Sequence, residues 1–151
     1  MKTTSSRKMA SRLPVLGWRE WLALPEFGVP AIKVKVDTGA RSSALHAHNL
    51  RLVQRGGEEY ALFEVRPLQR KSTPSYEVEA VVVDRRKVTS SGGHQEIRPV
   101  IVVEVEIMGN RWPIEVTLTK RDSMGFRMLL GRQAIRRRFV VDPGRSFLGG
   151  R

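Results

Sequence analysis

Val34-Lys35-Val36-Asp37-Thr38-Gly39-Ala40 is the stretch on which the reading of this chain turns. Ile32, Val34 and Val36 alternate with lysines, the pattern of a strand with one buried face. The strand runs into an acid, a hydroxyl and a glycine. A carboxylate then stands where the chain leaves the strand, a short polar side chain shapes the turn, and a residue without Cβ lets another backbone approach. A turn-capping acid would account for Asp37 equally well if nothing else in the chain matched.

A second motif lies some ninety residues on, Met128-Leu129-Leu130-Gly131-Arg132-Gln133-Ala134-Ile135. Asp-Thr-Gly-Ala followed by two apolar residues, Gly-Arg, a polar and an apolar residue resembles the paired signatures of the single-domain retroviral-type aspartic peptidases, the retropepsins. That resemblance implies a short helix behind the catalytic loop. The pair is far more specific than either motif alone.

The chain has 151 residues, enough for one domain with a packed core. It is 40% hydrophobic and 28% charged, an ordinary composition for a soluble protein, and no apolar run reaches the length of a membrane span. No signal peptide is expected. Without cysteine, neither a disulfide framework nor a thiolate metal site can form, and a cytoplasmic setting fits. The net charge of +12 favours an acidic partner, whether nucleic acid, an anionic surface or an acidic polypeptide.

Residues 1–15 are expected to be a flexible basic arm, and residues 16–148 the folded domain. Gly17 to Glu26 reads as a strand ended by Pro25, with Trp18 and Trp21 expected in the core. Arg51 to Arg66 reads as a hairpin turning at Arg55-Gly56-Gly57. Tyr76 to Asp84 reads as a strand carrying a buried run, Ala80 to Val83. The polar stretch from Arg85 to His94 has a small tip, Ser90-Ser91-Gly92-Gly93, and Pro99 to Ile107 returns as a strand. Paired arms with such a tip suit a flap over a cleft. Trp112 to Leu118 alternates as a strand, and Gln133 to Arg138 reads as a short helix with Ala134 and Ile135 inward. Phe139 to Pro143 closes the domain as a strand. Many short strands between turn signals predict an all-β closed barrel with one short C-terminal helix.

His46, His48 and His94 are the candidate metal ligands. No His-Glu-x-x-His motif accompanies them, and histidines more often pack with hydrogen bonds, so no metal is expected. A phosphate-binding Gly-x-x-x-x-Gly-Lys loop is also lacking, so no nucleotide cofactor is expected.

Five segments in order resemble the bacterial RimB-like proteins: residues 17–21, 35–41, 96–100, 117–124 and 129–132. The resemblance runs from about residue 16 to 148. Members of this family also carry the label ATP-dependent zinc protease. It implies a retropepsin (acid-protease) fold, a homodimer, and removal of glutamate tails that a RimK-type ligase adds to a small-subunit ribosomal protein.

The chemistry follows from the residues as well. Peptide hydrolysis by carboxylates needs two of them at one water, one as base and one as acid. This chain has one Asp-Thr-Gly and is too short for a two-lobed enzyme, so the second carboxylate must come from Asp37 of a second copy. Like charges so close share one proton. Thr38 would join the two loops through hydroxyl hydrogen bonds, and Gly39 would leave room for substrate backbone. Asp84, Asp122 and Asp142 are fallback carboxylates without the motif.

Where retroviral enzymes have acids after Asp-Thr-Gly-Ala, this chain has Arg41-Ser42. The ion pair made there with the Gly-Arg arginine cannot form, and Arg41 and Arg132 are expected to meet as like charges unless an acid lies between them. Arg41 is therefore the first candidate to receive substrate glutamates. Ala40, Arg41, Ser90, Ser91, Gly92, Gly93, Arg98 and Arg121 complete the expected substrate site around the catalytic Asp37, Thr38 and Gly39. The alternative is a non-catalytic basic β-barrel that binds nucleic acid or an acidic protein. Aromatic residues, at 7%, show no stacking motif among the basic ones.

Overall fold

A computed structural model describes residues 12–89, 92–120 and 125–150. Ser90, Ser91, Arg121, Asp122 and most of the N-terminal arm lie outside them. The strands run β1 (Val15–Leu16), β2 (Arg19–Leu24), β3 (Val29–Asp37), β4 (Ser43–His46), β5 (His48–Arg55), β6 (Glu58–Val65) and β7 (Tyr76–Val81). They continue as β8 (Asp84–Thr89), β9 (Gln95–Ile107), β10 (Asn110–Thr119) and β11 (Met128–Gly131). A four-residue helix α1 (Arg132–Ile135) and β12 (Val140–Val141) complete the described chain.

Six strands in the order β10-β4-β11-β3-β2-β9 close on themselves because β9 also pairs with β10. The result is the expected closed barrel. Its interior is filled by the alternating faces read from the sequence. Ile32 and Val34 are completely buried and Val36 nearly so, while Lys33 and Lys35 between them are half-buried. Each such aliphatic side chain contributes about 1.5–3 kcal/mol through burial. A separate three-stranded sheet, β5-β6-β7, leans on the barrel, with the Phe63 ring edge-on to Phe27 at 6.2 Å. Its β5–β6 turn uses Gly56 and Gly57 at φ 56° and 84°, the pair of left-handed residues that a tight hairpin needs.

Some expectations are corrected. Ala80 to Val83 is not a buried run: Val81 and Val83 are exposed, and β7 ends at Val81. The chain there crosses from one sheet to the other, Val82 N–H donating to Glu59 O and Val83 N–H to Val100 O. Trp18 and Trp21 are half-buried and cover the outside of the barrel. The Trp18 ring meets Phe126 edge-on at 6.0 Å, and Trp21 stacks on Phe147 at 6.1 Å. The helix starts one residue earlier and ends sooner than expected, because Arg136 turns to ψ 141°. Ala134 and Ile135 do face inward, and Arg136 to Arg138 are exposed.

The ends of the domain are tied together around Glu20, which is fully buried in β2. Its carboxylate accepts from Gly17 N–H at 2.6 Å and from the N–H groups of Leu148 and Gly149, both at 3.0 Å. Gly17 lies so near the C-terminal segment that a Cβ there would sit 2.2 Å from Arg145 O. β1 and β12 pair in parallel beside this clasp.

Candidate active site

The two sequence motifs are neighbours in space. β3 and β11 run parallel with Leu130 opposite Val36 and Gly131 opposite Asp37. Both motifs therefore reach the same end of the barrel together. Beyond Asp37 the chain turns sharply: its Oδ1 accepts Gly39 N–H at 3.0 Å, and its carbonyl accepts Ala40 N–H at 3.2 Å. Thr38 and Gly39 are exposed and Asp37 is half-buried.

The loop is held from behind by α1. The first two helical N–H groups, of Arg132 and Gln133, donate to Ala40 O at 2.7 Å and Arg41 O at 3.1 Å. These donors would otherwise be orphaned at a helix start. Gly131 permits this approach. A Cβ there would lie 2.4 Å from Ser42 O. Its N–H donates to the buried Ser43 Oγ at 2.9 Å. Arg132 Nη1 donates to Thr38 O at 3.0 Å. The expected meeting of Arg41 and Arg132 as like charges is thus resolved by a main-chain carbonyl, which takes the place of an acid as the partner of Arg132.

Arg41 is exposed beside a cavity of about 280 Å³ that it lines with Ser42, Arg86, Glu115 and Gln133. Arg86 comes from β8, which pairs with β9 as a hairpin, whereas the strand expected as its first arm, Tyr76 to Asp84, pairs as β7 with β6 in the other sheet. Arg86 pairs with Glu115 of β10 at 3.0 Å and with Asp84 at 3.3 Å. The Glu115 hydrogen bond, opposed by desolvation and helped by Asp84, holds its guanidinium above the usual arginine range. Arg98 stands directly across from Arg86 in the hairpin register and pairs with Glu96 at 3.4 Å. Gly92 and Gly93 form the described part of the tip and are exposed, Gly93 at φ 83°.

The histidines converge on an arginine. Arg127, almost fully buried, directs Nη1 to His46 Nδ1 at 3.0 Å and to His48 Nε2 at 2.7 Å. His46 Nε2 meets Lys120 O at 2.9 Å. His94 is exposed near the hairpin tip. Among the described residues no group of three His, Asp or Glu side chains is arranged to hold a metal ion.

Sequence reasoning missed Ser43, Arg86, Glu115 and Gln133. Ser43 and Gln133 adjoin the motifs and were within reach. Arg86 and Glu115 come from strands whose pairing partners are not visible in the linear chain.

A closed six-stranded barrel with Asp-Thr-Gly at a strand end and Gly-Arg locked behind it defines a retropepsin-like protein. Residues 15–151 match the family model described as RimB-like, retropepsin-like aspartic endopeptidase RimB, and the chain belongs to that family. A crystal structure of a Legionella pneumophila protein of unknown function (DUF785) superposes with a TM-score of 0.71 at 30% identity, covering 90% of this chain and 98% of that one. Proteins named "Probable alpha-L-glutamate ligase" are similar too. Those of Shewanella pealeana and Shewanella halifaxensis are 48% and 47% identical over 136 residues, 90% of this chain. That of Desulfotalea psychrophila is 44% identical over 129 residues, 85% of this chain. The chain spans only 28–30% of the length of these relatives. No helix among the described residues is long and apolar enough to cross a membrane.

Proposed function

We propose that this protein is an aspartic peptidase that acts as a homodimer and removes poly-glutamate tails from a small-subunit ribosomal protein. The observation that carries the reading is the Asp37-Thr38-Gly39 turn, braced by α1 and Arg132, with Thr38 and Gly39 exposed and Asp37 half-buried. A single carboxylate there is half of a catalytic pair, and a second copy across a two-fold axis supplies the other. One Asp37 takes a proton from a water as its oxygen attacks the peptide carbonyl carbon. The other gives its proton to the carbonyl oxygen. On collapse the C–N bond breaks, the first gives its proton to the leaving nitrogen, and the second takes back a proton from a hydroxyl of the diol. Thr38 of each copy secures the pair of loops.

Substrate choice rests on the cations beside the loop. Arg41 presents an exposed guanidinium to a glutamyl side chain, and Arg98 adds to the field from the hairpin. Ala40, Gly92 and Gly93 complete the substrate site of this reading, and Ser90, Ser91 and Arg121, expected to join them, lie outside the described residues. The relatives support this choice of substrate. A domain like this one forms under a third of proteins named as glutamate ligases, so cutting and adding glutamate would occur on one polypeptide there. The partner implied for this chain is a RimK-type ligase working on the same cytoplasmic substrate.

Mass spectrometry of a protein bearing a poly-glutamate tail tests the reading, with wild type and Asp37→Asn, each with and without EDTA or ATP. Tail loss with wild type alone, indifferent to both additions, is expected. Equal loss with Asp37→Asn, or loss abolished by EDTA, would overturn the assignment of the chemistry to Asp37.

A further inference from the structure

We infer that Glu115 is a built-in stand-in for a substrate glutamate on Arg86, and that the pair sets the preference of the groove for acidic side chains. The inference rests on the proposed peptidase reading and concerns the same site. Two adjoining cavities, of about 290 and 280 Å³, share Ser42, Arg86, Glu115 and Gln133. The second also touches Arg41, which follows Ala40 out of the catalytic turn and whose carbonyl accepts Gln133 N–H. The groove is thus continuous with the segment that leaves Asp37.

Glu115 carries the same carboxylate that a glutamyl tail would present. Its side chain is 53% exposed, so it can swing away, and it holds Arg86 by one contact at 3.0 Å. Asp84, on the same strand as Arg86, keeps a second contact at 3.3 Å. An incoming carboxylate that replaces Glu115 gains Arg41 as well, because Arg41 and Arg86 line one cavity. Among the described residues no acidic side chain is paired with Arg41. An uncharged side chain cannot make this exchange and finds Glu115 still in the groove. Exchange at an exposed pair costs little, since such pairs are weak in water.

Binding of a labelled peptide ending in a run of glutamates, and of its glutamine twin, tests the inference in the Asp37→Asn background. Glu115→Gln is expected to tighten the glutamate peptide by about two- to fivefold and leave the glutamine twin unchanged. Arg86→Ala is expected to weaken the glutamate peptide by at least as much, with an unaltered melting temperature checking its fold. Glutamate-peptide affinity unmoved by Glu115→Gln, or both peptides moved equally, would overturn the inference. Failure of the wild type to cleave any tail would count against the peptidase reading and leave these binding outcomes readable.

Discussion

Arg132 Nη1 donates to Thr38 O at 3.0 Å, joining the two motifs through a side chain and a main-chain carbonyl. The contact is exposed, so it contributes about 1 kcal/mol. Arg132→Ala should lower the melting temperature by a few degrees. Cleavage of glutamate-tailed substrate should fall much further than stability, because the turn that carries Asp37 loses its brace. Parallel losses in both would show that Arg132 serves stability alone.

Gly131→Ala should be far more damaging. The added Cβ would sit 2.4 Å from Ser42 O and 3.1 Å from Ala40 O, and neither is a side chain that can swing aside. Relieving that overlap should cost about 1–3 kcal/mol or more. Urea denaturation of the variant against wild type checks it, and an unchanged midpoint would contradict the packing described.

Glu20→Ala should destabilise by about 2–3 kcal/mol, since three backbone N–H groups lose their acceptor. Glu20→Gln should not restore stability, because its amide turns an NH2 group toward donors. The same denaturation measurement reads both. Full rescue by Gln would mean that the carboxylate matters only for its shape.

Glu64 gives a pH prediction. Its carboxyl is lowered from 4.5 to about 2, first by a hydrogen bond from Asn49 and then by one from Ser75. A carboxyl depressed on folding favours the ionised form of the folded state. The stability it adds is present above about pH 4.5 and is lost as pH falls toward 2. Glu64→Gln should flatten the acid limb of the stability curve across that window. An NMR titration of the Glu64 side chain with a midpoint near 4.5 would refute the shift.

Alternation was enough to read the strand from Ile32 to Val36, and the resemblance carried by the motifs around Asp37 and Gly131 implied the turn and the short helix with Ala134 and Ile135 inward, because each motif is a local run of residues. Local pattern misread Ala80 to Val83, where an apolar run falls at the crossing between two sheets and Val81 and Val83 stay exposed. It also expected a buried tryptophan pair that instead covers the barrel wall.

Folding alone decided what surrounds the turn. Parallel pairing of β3 with β11 puts Gly131 opposite Asp37, and the hairpin and β10 bring Arg86 to Glu115. Barrel closure sets those meetings, and closure depends on which strands pair across long stretches of sequence. Strand pairing is a property of the whole core, so no local run of residues records it.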